Sequence, residues 1–152
     1  MIIELPDEAA TEKLAARFLE AMPQDLAGWT VLLSGELGAG KSTFARALIR
    51  ALGQTGPVPS PTYTLVEPYD LPRGKIYHID LYRVSEESEL RYLGWNELDD
   101  GFRLVEWPER APGLLQSADI SLRLVYRNDG REAAIEGLSK RGSELLQRLE
   151  PA

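Results

Sequence analysis

The sequence predicts an α/β sandwich, in which helices flank a mixed β-sheet that is parallel near a glycine-rich loop and antiparallel toward the C-terminus. The first observation is an apolar run at 29–34 that leads through a glycine-rich octet, 35–42, into a segment of helical periodicity at 43–52. The second is the alternation of apolar and polar residues at 120–126, which is typical of a half-buried strand. With 152 residues, the chain suits a single domain, predicted as 1–152.

The first two helices are predicted from capping and apolar spacing. Asp7 can cap the first helix, and Pro23 ends it. The apolar stripe of this helix consists of Leu14, Phe18, Leu19 and Met22. The second helix, 43–52, repeats an apolar residue every fourth position and stops at Gly53.

The middle of the chain reads as a loop, two strands, a helix and a third strand. Prolines in the segment 53–61 forbid a helix and favour an extended loop. Strands are predicted at 62–69 and 75–81 on either side of a glycine and proline turn, and a helix at 85–93. Another short strand is predicted at 102–107, directly after a glycine.

The last third predicts an antiparallel hairpin and a closing helix. Turn residues at 128–130 follow the alternating segment, so 132–138 can return as its partner strand. The segment 139–149 carries leucines on one side, which indicates a short amphipathic helix.

Composition and charge exclude several classes of protein. Lys and Arg number 17 against 24 Asp and Glu, a net charge of −7, which is the wrong balance for broad binding to phosphate backbones. We therefore expect any role on nucleic acid to be indirect. The absence of cysteine excludes disulfides and thiolate metal sites. No apolar run approaches the roughly 20 residues of a membrane span, and the acidic start lacks a signal peptide's basic region, so we expect a soluble, cytoplasmic protein without membrane contact.

The octet at 35–42 fits the phosphate-loop pattern G-x-x-x-x-G-K-[ST]. Its glycines allow successive backbone N–H groups to turn inward and cradle phosphate oxygens at a helix N-terminus. Lys41 adds a mobile positive charge for the outer phosphates, and the Ser42 hydroxyl can ligate Mg²⁺. The pattern predicts a nucleoside triphosphate site in a P-loop NTPase-like fold. The complete pattern in this context disfavours the alternative, a glycine turn that only caps a helix.

Two carboxylates at the ends of predicted strands are candidates for the chemistry. Asp80 and Glu106 could each hold Mg²⁺ through water or orient an attacking water molecule. The alternative is that each caps a strand or pairs with an arginine. His78 shares a strand face with Asp80, and a packed or hydrogen-bonded role is favoured over a catalytic one.

The sequence pattern alone leaves the roles of three further residues open. Thr62 and Thr64 could supply hydroxyls to the terminal phosphate or the metal, as a switch segment would, but the pattern alone favours ordinary strand threonines. Trp107 could contact a partner, but a core position is favoured.

Five motifs in one order point to a family. They are P-D-E-A-A-T at 6–11, the phosphate loop extended to 35–44, S-P-T-Y-T-L-V at 60–66, H-I-D-L-Y-R at 78–83 and E-W-P-E at 106–109. The series closely resembles the bacterial TsaE family, also called YjeE, over nearly the whole chain. The phosphate loop is shared with many NTPases, whereas the other motifs in this order are highly specific.

This resemblance implies an ATPase needed to form threonylcarbamoyladenosine beside the anticodon of tRNAs that read codons starting with A. TsaE-like proteins act with TsaB and TsaD, of which TsaD carries the transferase chemistry, and hydrolysis of ATP is thought to reset that complex. Contact with tRNA would then be only indirect, through the complex. The implied cofactors are ATP and Mg²⁺.

The resemblance also implies roles for individual residues. Ser42 and Glu106 would be associated with the metal, Asp80 would assist hydrolysis together with Lys41 and Glu106, and Thr11 would lie near the base. The nucleotide would be held by Gly35, Glu36, Leu37, Gly38, Ala39, Gly40, Lys41, Ser42 and Thr43. A nucleotide-sensing switch would consist of Ser60, Pro61, Thr62, Tyr63 and Thr64. Ser42 stands where threonine is common in the family, and either hydroxyl serves Mg²⁺.

Three alternatives compete with a partner-completed ATPase. A small-molecule kinase usually adds a lid with several arginines, and the loop 53–61 is too small for one. A GTP-dependent switch would carry N-K-x-D, and neither Asn96 nor Asn128 begins that motif. A nucleotide-gated adaptor shares every motif with the ATPase, so that alternative stays open.

Overall fold

The computed structural model describes residues 1–36 and 39–149. Leu37 and Gly38, two of the predicted phosphate-loop residues, lie outside the described residues. The strands are β1 (Ile2–Leu5), β2 (Thr30–Gly35), β3 (Val66–Leu71), β4 (Gly74–Asp80), β5 (Phe102–Glu106), β6 (Ile120–Arg127) and β7 (Gly130–Gly137). The α-helices are α1 (Glu8–Ala21), α2 (Lys41–Ala51) and α3 (Lys140–Leu149). Short 3₁₀ helices cover Glu87–Leu93, Trp95–Asp100, Pro108–Arg110 and Pro112–Gln116.

The strands form one mixed sheet in the order β1-β7-β6-β2-β5-β4-β3. Its centre is parallel, because β2 pairs with both β5 and β6 and β4 pairs with β5 in the same direction. The hairpin β6–β7 and strand β1 continue one side in antiparallel fashion, and β3 is antiparallel to β4 at the other edge. The predicted α/β fold with a mixed sheet is confirmed, with a second antiparallel edge that the sequence did not indicate.

Different elements pack against the two faces of the sheet. Alternate residues of the central strands, such as Leu33 and Leu104, pack with the three α-helices in the larger core, where the rings of Phe18 and Phe44 meet edge to face at 6.1 Å. The intervening residues, such as Leu32, pack under the 3₁₀ segments in the smaller core. Among the described residues, no helix combines the length and apolar character that crossing a membrane requires.

Several predicted elements occur where local signals placed them. Asp7 caps α1, since its carboxylate accepts a hydrogen bond of 2.8 Å from the Ala10 N–H. The turn between β6 and β7 uses Asn128 at φ 52°, the left-handed conformation that asparagine tolerates. The loop 53–61 contains no strand or helix.

Two expectations are corrected, and one strand was missed. The strand predicted at 62–69 begins only at Val66, because residues 61–64 form turns and Leu65 adopts φ 69°. That turn is stabilised by the Leu65 N–H, which donates to the Pro61 carbonyl at 2.7 Å. The helix predicted at 85–93 is a 3₁₀ helix from Glu87. Strand β1 was not predicted, because it is four residues long and depends on pairing with β7.

Candidate functional site

The carboxyl ends of the central parallel strands meet beside the N-terminus of α2. In the pairing of β4 with β5, Asp80 is directly opposite Glu106, and Glu106 is in turn opposite Leu33 of β2. A pocket of about 240 Å³ opens at this edge. It is lined by Gly40, Lys41, Ser42, Thr43, Ser60, Thr62, Asp80, Tyr82, Glu106 and Trp107. The fold therefore brings together most of the predicted site residues that lie within the described part of the chain.

The loop before α2 needs glycine at two positions. Gly35 has φ 138°, and a Cβ there would lie closer than 3.0 Å to the Leu124 carbonyl oxygen of the neighbouring strand. Gly40, at φ 105°, is the N-cap of α2, where no side chain caps the first N–H groups and no acidic residue occupies the first turn. A helix N-terminus of this kind favours an anion, so the cradle fits a phosphate.

Lys41 places its charge at the pocket while remaining 4% exposed. Its ammonium donates a 2.7 Å hydrogen bond to the Gly35 carbonyl and lies 3.5 Å from the centre of the Trp107 ring. Burial lowers the pKa of Lys41, and the nearby carboxylates of Glu106, Glu109 and Asp80 oppose that shift. The lysine thus sits between the loop and the acidic side of the pocket.

The Asp80 carboxylate is held from two directions. Its Oδ2 accepts a 3.0 Å hydrogen bond from the Thr62 hydroxyl, and its Oδ1 accepts one of 2.9 Å from the Tyr82 N–H. The Ser60 and Thr62 hydroxyl oxygens are 2.8 Å apart. This chain of contacts joins the segment 60–62 to the end of β4.

The predicted switch residues divide into two groups. Ser60 and Thr62 line the pocket. Thr64 instead donates to the Glu67 carboxylate at 2.8 Å, and Tyr63 is 82% exposed, with the Arg83 guanidinium 5.2 Å from its ring centre. Thr62 is not a strand threonine, since the strand starts four residues later.

Glu106 is buried against the only histidine of the sequence. Its Oε2 lies 2.6 Å from His78 Nε2, and the two residues are 3% and 2% exposed. The favoured interpretation of His78 as a hydrogen-bonded residue agrees with this geometry.

Trp107 is half-buried, and it lines the pocket as well as packing against the smaller core. The sequence favours a core position, which describes only part of this placement. It adopts φ 58°, and its ring is 5.0 Å from that of Tyr82 and directly under the Lys41 ammonium. The contact with Lys41 was not predicted, because 66 positions in the sequence separate the two residues.

A second pocket, of about 280 Å³, adjoins the first and shares Gly40 and Thr43 with it. It is lined by Leu5, Pro6, Asp7, Glu8, Thr11, Gly40, Thr43, Asp129, Gly130 and Arg131. Thr11 is buried at its wall, and the pocket adjoins the start of α2 through Gly40 and Thr43. Sequence reasoning missed Asp129 and Arg131, for which the hairpin turn was the only signal.

The oxygen donors of the first pocket suit a hard cation. Ser42, Asp80 and Glu106 offer a hydroxyl and two carboxylates beside the phosphate cradle. Mg²⁺ usually keeps several waters and takes one or two protein ligands together with phosphate oxygens. Within residues 1–36 and 39–149, no group of three or more His, Cys, Asp or Glu side chains is placed to hold a metal ion.

A strand, a glycine loop and a helix at the carboxyl edge of parallel strands, with a lysine and two carboxylates around the loop, define a P-loop NTPase-like protein. The family model described as threonylcarbamoyl adenosine biosynthesis protein TsaE matches residues 5–134. The chain belongs to the TsaE family of tRNA threonylcarbamoyladenosine biosynthesis proteins.

Individual relatives agree with that assignment. The tRNA threonylcarbamoyladenosine biosynthesis protein TsaE of Haemophilus influenzae is 35% identical over 146 residues, which cover 93% of this chain and 92% of the relative. The protein of the same name from Aquifex aeolicus is 45% identical over 109 residues, or 70% and 75% of the two chains. The crystal structure of YdiB from Bacillus subtilis has a TM-score of 0.72 at 26% identity and covers 98% of this chain and 93% of its own.

Proposed function

We propose that this protein is a Mg²⁺-dependent ATPase that acts in forming the threonylcarbamoyl group on the adenosine next to the anticodon of tRNAs reading codons that start with A. The observation that carries the proposal is the pairing of Asp80 with Glu106 across from Lys41 in one pocket. A phosphate cradle alone serves binding, whereas two carboxylates beside it supply the means to orient a water molecule for hydrolysis.

The polar residues around the phosphate cradle have defined parts in this proposal. The N–H groups at the start of α2 and the Lys41 ammonium hold the phosphates, while Ser42 and Glu106 hold the cation. When bound, Mg²⁺ neutralises phosphate charge. Asp80, fixed by Thr62 and the Tyr82 N–H, orients the attacking water. The second pocket, with Thr11 in its wall, receives the base.

The partners in this proposal are TsaB and TsaD, and the ATPase step resets their complex between turnovers. Lys41 is the only cation among the described residues that line the first pocket. NTPases of this class are strongly accelerated by an arginine that reaches the transferring phosphate. We therefore expect slow hydrolysis by the chain alone and stimulation by a partner. The net charge of −7 supports indirect contact with tRNA, and a cytoplasmic location accompanies a role in tRNA modification.

A nucleotide-gated adaptor is the second candidate, and the Lys41 contacts favour it. The ammonium is held by the Gly35 carbonyl and the Trp107 ring, so a phosphate that binds it competes with both contacts. Movement of Trp107 would then report nucleotide occupancy at the surface without hydrolysis.

Mg²⁺-dependent ATP hydrolysis, measured for the chain alone and with the matching TsaB and TsaD pair, separates the two functions. Strong stimulation by the pair is the expected result. A rate that stays at background, while ATP still promotes assembly with the pair, would refute the ATPase and leave the adaptor. Lys41→Ala should abolish nucleotide binding, and Lys13→Ala, at an exposed lysine outside both pockets, is the matched control.

A further inference from the structure

His78 lies on the same face of the sheet as Asp80 and Glu106. It precedes Asp80 by two residues on β4. On β4, residues alternate between the two cores, so His78 and Asp80 share the face of Ile76, which packs in the larger core. On β5, Leu104 and Glu106 share that face, and Leu104 is the residue opposite His78. His78 is therefore the diagonal neighbour of Glu106, within reach of a long side chain on the adjacent strand.

The contact between them is short and buried. His78 Nε2 is 2.6 Å from Glu106 Oε2, and both side chains are almost completely buried. We assign the donor role to the Nε2–H group, because a carboxylate oxygen accepts hydrogen bonds. Glu106 lines the pocket, whereas His78 does not, which places the imidazole behind the carboxylate.

The other imidazole nitrogen shows that packing alone does not account for the histidine. In the described part of the chain, His78 Nδ1 is buried without a hydrogen-bond partner. An unpaired buried polar atom is unfavourable, and an apolar side chain beside Ile76 and Leu104 would avoid it. The contribution of the histidine is thus its single donor, directed at Glu106.

We propose that His78 is a positioning residue, which fixes the Glu106 carboxylate so that its second oxygen faces the cation and nucleotide. This inference depends on the proposed function, in which Glu106 is associated with the metal. One oxygen anchored at 2.6 Å removes the rotational freedom of a long side chain. Partners that orient a metal-associated carboxylate in this way typically contribute roughly 10–100-fold to metal affinity or activity.

The test compares two amides at position 78. The side-chain nitrogen of His78→Gln reaches the place of Nε2, whereas that of His78→Asn reaches only the place of Nδ1. We expect His78→Asn to lower kcat by roughly 10–100-fold with KM for ATP little changed, and His78→Gln to restore most of the loss. In a Glu106→Ala background, His78→Asn should have no further effect, because its role passes through that carboxylate.

Metal binding supplies a readout that does not depend on turnover. Mn²⁺ replaces Mg²⁺, and its affinity for the complex of the protein with a non-hydrolysable ATP analogue is measured by electron paramagnetic resonance. His78→Asn should weaken Mn²⁺ binding and His78→Gln should not. If melting without nucleotide shows that His78→Asn is unfolded, His78→Leu, which packs against the same core but has no donor, replaces it with the same expectation.

Equal effects of the glutamine and asparagine variants on kcat and Mn²⁺ affinity, or an undiminished loss in the Glu106→Ala background, would overturn the inference. Absence of Mg²⁺-dependent hydrolysis in the wild type, alone and with TsaB and TsaD, would instead refute the proposed function. The Mn²⁺ measurement then still decides whether His78 positions Glu106.

Discussion

Alanine at Gly35 should destabilise the protein by more than the strain of its backbone angle. Gly35 ends β2 at φ 138° and pairs with Leu124 of β6. A non-glycine residue in such a conformation costs roughly 1–3 kcal/mol. The added Cβ would also lie closer than 3.0 Å to the Leu124 carbonyl oxygen, which is backbone and can only move with the strand.

Gly74 is the matched control. It has a similar angle, φ 122°, at the first residue of β4, directly after the turn from β3, and a Cβ there meets no atom of the described chain within 4 Å. Gly74→Ala should therefore show the backbone strain alone. Forcing an extra carbon into a packed position typically costs a further 1–3 kcal/mol, so we expect Gly35→Ala to be less stable than Gly74→Ala by roughly that amount.

Urea unfolding, followed by circular dichroism, measures both losses in free energy of unfolding. The midpoints are compared at equal slope, because a changed slope would signal a different unfolding transition. Equal losses for the two variants would refute the argument that close approach of β6 requires glycine at position 35. Under conditions in which both variants are folded, Gly35→Ala should bind nucleotide more weakly than the wild type, and Gly74→Ala should not.

Three other predictions follow from single contacts. Asp80→Ala and Glu106→Ala should retain much of the ATP affinity while lowering turnover on the order of 100-fold, as equilibrium binding and steady-state rates would show; unchanged rates would contradict the site. Thr62→Val removes the hydroxyl that holds Asp80 and should lower kcat with little change in melting temperature, whereas Thr64→Val, outside the pocket, should leave kcat unchanged. Asp119→Ala should lower the free energy of unfolding in urea by roughly 1–3 kcal/mol, because the buried Thr30 N–H loses its acceptor, while the Arg141 side chain is 44% exposed and can be solvated; a loss near zero would contradict this.

The acid stability of the protein should depend on Asp119 in a defined direction. Burial raises the pKa of this carboxyl, but hydrogen bonds from Arg141, Ser139 and the Thr30 N–H outweigh it, so the pKa in the folded protein is lowered. A lowered pKa contributes stability above the ordinary aspartate pKa, and that contribution is lost as the pH falls through the folded value. Asp119→Ala should therefore show a smaller loss of stability on acidification than the wild type. A parallel decline in both proteins would contradict this account.

Local sequence patterns were sufficient to predict the elements that local interactions stabilise. The cap of α1 at Asp7, the helix after the phosphate loop and the hairpin turn at Asn128 follow from interactions within a few residues. The ends of the predicted strands also located the two carboxylates, because side chains after parallel strands meet at one edge of a sheet. The failure at 62–65 has a non-local cause: the Leu65 carbonyl accepts from the Asp80 N–H, which holds a left-handed turn that a β-rich sequence does not indicate.

The sequence by itself determined the α/β class, the order of most elements, and the phosphate loop with its lysine, since periodicity, capping and glycine spacing act over short stretches of chain. The tertiary structure alone decided which side chains touch. It placed Asp80 opposite Glu106, seated Lys41 on Trp107, set His78 behind Glu106 and built the second pocket from residues as distant as Thr11 and Arg131. Strand register and helix packing depend on the burial of the whole core, and no local pattern carries that information.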